Sequence, residues 1–109
     1  MGEPPERLDG ADVLCWAVSS RGGFYQLAGP HPTVTVAAMA VARYVDCRSV
    51  YLFKCDPNWQ VVQDWDCGSV EEARELAAEH ASGEQLVWRA RAEPAAPADG
   101  GGMSAFRGS

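Results

Sequence analysis

The apolar positions near the N-terminus predict two short strands. Residues 12–20 are mostly apolar and contain Val, Cys and Trp, a composition typical of a strand. Residues 20–23 include two adjacent glycines and predict a turn, after which residues 24–28 return as a second strand.

The next apolar stretch predicts a buried helix. Residues 33–45 carry almost no charge, and Thr33 or Thr35 can cap a helix that runs to about Val45. A helix without a polar face is buried on most sides. The Thr-Val-Thr-Val start also fits a short strand, and periodicity does not separate the two.

The second half predicts a hairpin. Residues 49–55 form one strand and residues 56–59, Asp-Pro-Asn-Trp, form the turn, because Pro presets its own φ and Asn tolerates the strained position after it. Residues 59–66 return as a strand. Alternation places Trp59, Val61 and Trp65 on one face, with Asp64 and Asp66 on the other.

A helix and a last strand follow the hairpin. Ser69 and Glu72 have the spacing of a capping box, so we expect a helix that begins there and runs to about His80. Residues 85–91 predict a final strand. The order β-β-α-β-β-α-β predicts an α+β fold: a two-layer domain whose antiparallel sheet carries both helices on one face. The similar order of the two halves also suggests a tandem ββα repeat.

The second hairpin and its helix resemble a known pattern. The segment Cys-Asp-Pro-Asn-Trp-Gln-Val begins at Cys55, and Ser-Val-Glu-Glu-Ala begins at Ser69. Together they resemble small uncharacterised bacterial proteins with a Cys-Asp-x-x-Trp-x-Val hairpin followed by a Ser-x-Glu-Glu-Ala helix. The resemblance covers about a third of the chain and implies a bacterial origin and this local fold; it implies no activity.

The length predicts one domain and the ends look unstructured. A chain of 109 residues has room for a single domain, which we place at residues 12–92 after a flexible N-terminus at residues 1–11. Residues 93–109 are rich in Pro, Ala and Gly and predict a disordered tail. The N-terminus has no apolar signal segment, so we expect a cytoplasmic protein with free thiols.

The net charge of -6 is concentrated in one segment. Residues 56–84 contain eight acidic residues and one base, Arg74, whereas the rest of the chain is close to neutral. Scarce and unclustered basic residues argue against direct nucleic-acid binding, and no apolar run is long enough for a membrane span. Glu71, Glu75 and Glu79 are spaced to form one column along a helix.

The acidic segment is the main functional candidate. A solvated face that keeps the protein soluble is one interpretation, and pairing of Asp64 and Asp66 with arginines of the last strand is another. The sharper hypothesis is a non-enzymatic interaction module, of inhibitor, immunity or antirepressor type, that binds a basic protein partner. The residues predicted to bind the partner are Asp56, Trp59, Asp64, Asp66, Glu71, Glu75 and Glu79.

The alternative hypothesis is a small-molecule binding protein or accessory enzyme. Its pocket would lie between sheet and helices near His31, and an aromatic patch on an uncovered face would allow a homodimer. No triad, phosphate loop or dinucleotide motif is present, so we predict no catalytic residue and no cofactor. The four cysteines lack zinc-type spacing and predict no metal site, although Cys47 and Cys67 would face each other across the hairpin.

Overall fold

The computed structural model describes residues 1–28 and 33–91. Five strands form a curled antiparallel sheet in the order β1-β2-β5-β6-β7, and β3 and β4 pair with each other separately. The elements, in chain order, are β1 (Arg7–Leu8), β2 (Ala11–Val18), β3 (Tyr25–Leu27), β4 (Val34–Val36), β5 (Ala38–Arg43), β6 (Val50–Cys55), β7 (Val61–Cys67) and α1 (Val70–Glu79).

The predicted α+β architecture with two helices on one face is wrong, and so is the tandem ββα repeat. Residues 33–45, expected to form the first helix, contain β4 and β5 instead. Within the described residues α1 is therefore the one helix, packed against a domain that is mostly sheet. The described residues before β6 contain no unit equivalent to the β6–β7–α1 hairpin and helix.

The burial of β5 explains why its sequence imitates a helix. Met39 and Val41 belong to the apolar cluster that includes α1, whereas the alternating alanines 38, 40 and 42 belong to the cluster on the other side. A strand buried on both faces shows a continuous apolar run instead of alternation. We call the side of the sheet that packs on α1 the helix face and the other side the opposite face.

The alanines of β5 make room for large neighbours on the opposite face. Ala40 lies between Trp16 of β2 and Phe53 of β6 in the strand register, and all three side chains are buried. Close packing favours such alternation of small and large side chains across adjacent strands. The high Ala content of this segment thus reflects a strand crowded by aromatic residues.

The β6–β7 hairpin has a register shift between Lys54 and Cys55. Val61 pairs with Cys55 and packs on the opposite face, whereas Trp65 pairs with Leu52 on the helix face. The prediction that Trp59, Val61 and Trp65 share a face is therefore wrong, because one extra residue in a strand reverses the side on which later side chains lie.

The start of α1 confirms the predicted helix cap. Ser69 is the N-cap, and its hydroxyl oxygen accepts a hydrogen bond from the backbone N–H of Glu72 at 3.1 Å. The Glu72 carboxylate accepts in return from the N–H of Gly68 at 3.0 Å. These bonds satisfy donors that a helix start leaves free, and the helix ends at His80 as expected.

The C-terminal strand predicted at residues 85–91 is much shorter in the structure. A single bridge joins Arg89 to Trp16 of β2, with backbone hydrogen bonds of 2.8 and 2.9 Å in the two directions. Arg91 then lies with its guanidinium 5.4 Å from the Trp16 ring. The predicted tail at residues 93–109 lies outside the described residues.

The N-terminal residues lie against the opposite face. β1 pairs with β2, and Pro4 is buried with its carbonyl accepting a hydrogen bond from Arg91. The indole N–H of Trp59 donates to the carbonyl of Gly2 at 3.2 Å. Residues 1–11, expected to be flexible, thus make specific contacts.

Over residues 1–28 and 33–91, no helix has the length and apolar character that crossing a membrane requires.

Candidate functional site

The acidic residues of β7 lie on the opposite face of the sheet. Asp64 pairs with Phe53 and Asp66 pairs with Tyr51, and both carboxylates are exposed. The pKa of Tyr51 is raised, chiefly by the charge of Asp66 and then by burial, which fits a carboxylate close to the phenol. Both aspartates stand on an edge strand of the five-stranded sheet.

The acidic residues of α1 form the predicted column. Glu71, Glu75 and Glu79 are all exposed, while Ala73 and Ala77 of the same helix are buried against the helix face. We call these three glutamates the acidic column. It lies on the other side of the sheet from Asp64 and Asp66, so the structure separates the predicted site into two sets.

The remaining two predicted site residues have structural roles. The Asp56 carboxylate accepts hydrogen bonds from the N–H groups of Asn58 and Gln60, which closes the β6–β7 turn. Trp59 is half-buried on the opposite face and adopts a φ of 63°, the left-handed region that the sequence had assigned to Asn58. Neither side chain belongs to the acidic column.

The acidic column has no basic partner among the described residues. The ion pairs there join Arg7 to Asp12, Arg21 to Glu84 and Arg91 to Glu3, all away from α1. Arg74, the one base of the helix, lies over the Trp88 ring at 5.2 Å. The alternative interpretation, in which Asp64 and Asp66 pair with arginines of the last strand, is likewise not seen in these residues.

A groove on the helix face contains a residue that the sequence analysis did not select. Lys54 is 2% exposed although it is charged in its ordinary state. It lines an open groove of about 410 Å³ between β3, β7 and the end of α1. We call it the Lys54 groove; its lining residues are Tyr25, Leu27, Lys54, Gln63, Trp65, Glu79, His80 and Ser82.

The lysine amine is surrounded by aromatic groups. Its Nζ lies 5.2 Å from the ring centroids of both Tyr25 and Trp65, and 2.5 Å from Nδ1 of His80. The rings of Trp65 and His80 meet edge to face at 5.4 Å. Within the described residues no carboxylate forms an ion pair with Lys54.

Two effects act on the charge of this amine. The two rings favour the ammonium form by about 0.5–2 kcal/mol each. Burial without a carboxylate partner opposes it at a cost of several kcal/mol, and the net result is a lowered pKa for Lys54. Burial, and then the nearby Lys54 charge, also lower the pKa of His80 against an upward pull from Glu79.

One feature of the sequence could have identified the groove. Lys54 is the single lysine of the chain, since the eight other basic residues are arginines. It is the one charged residue of β6, and its neighbours Phe53 and Cys55 are buried. A lone lysine in a core strand is unusual because burying an unpaired ammonium is costly. His31, around which the alternative hypothesis placed a pocket, lies outside the described residues.

The cysteines form no pair. All four are free, with Cys47 exposed and Cys15, Cys55 and Cys67 buried. Burial raises the pKa of the Cys55 thiol to about 12, aided by the carboxylates of Asp56 and Asp9. Residues 1–28 and 33–91 contain no group of three or more His, Cys, Asp or Glu side chains arranged to hold a metal ion.

Comparison of the chain with protein-family models, with curated proteins and with solved structures finds no match. The functional conclusions below therefore depend on the residues of this chain.

Proposed function

We propose that this protein is a small, non-enzymatic interaction module that binds a basic protein partner through the acidic column of α1. One observation carries the proposal: Glu71, Glu75 and Glu79 are exposed in one line, and no ion pair joins them to another described residue. Uncompensated charge of one sign attracts a partner of the other sign and orients it during encounter.

The repulsion within the acidic column supports a role for these glutamates in binding and not in stability. Glutamates four residues apart on a helix repel each other, and each such pair destabilises the helix by about 0.2–0.5 kcal/mol. Glu71 gains some stabilisation from the helix N-terminus, but Glu79 lies at the unfavourable end. A carboxylate retained at a cost to stability is better explained by binding than by folding.

The separation of the two acidic sets refines the contact that we propose. A partner lying on the acidic column does not reach Asp64 and Asp66 unless it also wraps around the β7 edge. We therefore propose the column as the main contact, and the β7 aspartates as a secondary one. An inhibitor, immunity or antirepressor role in the cytoplasm suits such a module.

A matched pair of variants tests this function. The full chain is immobilised, and proteins are captured from a lysate of the cell that makes it. The test variant carries Glu71→Gln, Glu75→Gln and Glu79→Gln; the control carries Glu6→Gln, Asp9→Asn and Asp46→Asn, three exposed carboxylates elsewhere. Both variants change the net charge equally, so only the position of the charge differs.

We expect a basic protein that wild type and the control capture and the test variant does not. Its capture should weaken as salt rises, because the screening length is only about 10 Å at 0.1 M ionic strength. Equal capture by the test and control variants would show that the column does not bind the partner.

A further inference from the structure

The Lys54 groove has the features of a ligand site that shares only Glu79 with the acidic column. Its polar end is a lysine that is almost completely buried, and its wall includes Trp65, which is 42% exposed. Lys54 reaches the groove from β6, Trp65 from β7 and His80 from the end of α1. The β6–β7 hairpin and the end of α1 thus converge on one amine.

The geometry points to a site for an aldehyde or ketone with a planar apolar group, bound as an imine to the amine of Lys54. Nζ lies over the faces of Tyr25 and Trp65 and beside Nδ1 of His80. No carboxylate of the described residues forms an ion pair with it, although Glu79 lines the same groove. Burial without an ion-paired carboxylate outweighs the two ring faces and lowers the pKa of Lys54, so a larger fraction of this amine is neutral and nucleophilic than of an exposed lysine.

His80 is placed to move the protons of this reaction. With Nδ1 as acceptor, one N–H of Lys54 points to the imidazole, and the amine lone pair is left for the carbonyl carbon. As the C–N bond forms, that proton passes through Nδ1 to the carbonyl oxygen, which becomes a hydroxyl. Loss of this hydroxyl with the second N–H proton releases water and leaves a C=N bond, so no oxidant or reductant is needed.

The other groups of the groove fit a planar carbonyl compound. The exposed part of Trp65 offers an apolar surface on which the planar group of the carbonyl compound can lie. Gln63 and the Tyr25 hydroxyl, 3.5 Å apart, are polar groups on the same wall of the groove. The ionisable groups that face Lys54 are Tyr25 from β3 and, from the α1 end, Glu79 and His80. At neutral pH the phenol and the imidazole are uncharged, because burial raises the pKa of Tyr25 and lowers that of His80.

The single lysine permits a direct test. The full chain is incubated at neutral pH with benzaldehyde and sodium cyanoborohydride, which reduces an imine to a stable secondary amine. Mass spectrometry of the digested chain then locates the adduct. Arg48→Lys supplies an ordinary, exposed amine in the same molecule for comparison. Lys54→Arg keeps the charge and removes the amine.

We expect more adduct at Lys54 than at position 48, because the lowered pKa of Lys54 leaves a larger fraction of its amine neutral at the pH of the reaction. The preference should disappear in concentrated denaturant, and Lys54→Arg should leave no adduct at residue 54. His80→Phe, which keeps a ring beside Trp65, should slow adduct formation at Lys54 but not at position 48.

Three results would overturn the inference. The first is an adduct at position 48 or the N-terminal amine with none at Lys54. The second is equal labelling of Lys54 and position 48 in the folded protein. The third is saturable binding of benzoate at the groove with no benzaldehyde adduct, which would indicate a site for anions. These results concern the amine of Lys54, and Glu71 and Glu75 lie outside the groove lining, so the results do not test the proposed protein partner.

Discussion

Nζ of Lys54 lies 2.5 Å from Nδ1 of His80, a contact between the C-terminal part of β6 and the end of α1. His80 ends α1, and at the C-terminal end of a helix the helix dipole favours an imidazolium. In the structure, burial and the neighbouring amine outweigh that effect and lower the pKa of His80. The helix end is therefore a site where protonation opposes folding.

The stability of the fold should fall in mild acid because of His80. Its pKa is lowered in the folded protein from the ordinary 6.5, so the unfolded chain takes up the proton first as the pH falls. The free energy of unfolding should thus keep its full value above about pH 6.5. It should decrease as the pH falls from there through the pKa of His80 in the folded protein.

Urea unfolding measures this effect when wild type and His80→Phe are compared at several pH values. These values lie between neutral pH and the pH range in which Asp and Glu side chains take up protons. The variant should lack the decrease that wild type shows in this interval. A wild type whose stability rises as the imidazole becomes protonated would contradict the lowered pKa.

Glu84 should be a major stabilising residue. Its carboxylate accepts hydrogen bonds from the hydroxyls of Ser19 and Ser20, at 2.8 Å each, and from the Ser20 N–H, and it pairs with Arg21 at 3.1 Å. These contacts join the segment after α1 to the end of β2. Glu84→Gln should lower the free energy of unfolding by about 1.5–3 kcal/mol, because hydrogen bonds to a charged group are lost.

The same contacts predict that the protein loses stability in acid when Glu84 is protonated. The hydrogen bond from the Ser20 N–H, with those from the two hydroxyls and the Arg21 charge, lowers the pKa of Glu84 from 4.5 to about 2. The stabilisation is present above pH 4.5 and is lost as the pH falls from there through about 2. Denaturation curves of Glu84→Gln and the exposed-site control Glu6→Gln separate this effect. A control as unstable as Glu84→Gln would refute the assignment.

The part of the fold that local chemistry determines could be predicted from the sequence. The β6–β7 hairpin has its turn at Asp56, and α1 begins at Ser69, because turn and cap residues act on their own backbone. The strand β2 was likewise indicated by its Val, Cys and Trp content.

The remainder depends on long-range contacts. Whether residues 38–43 form a helix or a strand is decided by Trp16 and Phe53, which occupy the space beside Ala40. The register shift after Lys54 moves Trp65 to the helix face and separates it from Trp59. The Lys54 groove was missed for the same reason, since Tyr25, Lys54 and His80 come together only in the folded chain.

The cysteines should differ sharply in reactivity. Cys47 is exposed and the other three are buried, and burial raises the pKa of Cys55 and of Cys67. Because the thiolate is the reactive form, a thiol reagent at neutral pH should modify Cys47 rapidly and the others only on unfolding. In denaturant without reductant, all four should react.

Ellman's reagent with stopped-flow detection measures these rates, and Cys47→Ser is the matched control. The rapid phase should vanish in this variant. Fewer than four reactive thiols in the denatured, unreduced chain would indicate the Cys47–Cys67 disulfide, which the hairpin geometry suggested from sequence.

The claim that the acidic column serves a partner and not the fold is tested most directly by the stability of Glu75→Gln. This residue lies between Glu71 and Glu79, so its neutralisation removes both repulsive pairs while Glu71 and the Ser69 cap remain. The free energy of unfolding at neutral pH and low salt should rise by about 0.4–1 kcal/mol relative to wild type. The control Glu6→Gln should change little. A fall in stability on Glu75→Gln would show that this carboxylate stabilises the fold and would contradict the proposed role of the column.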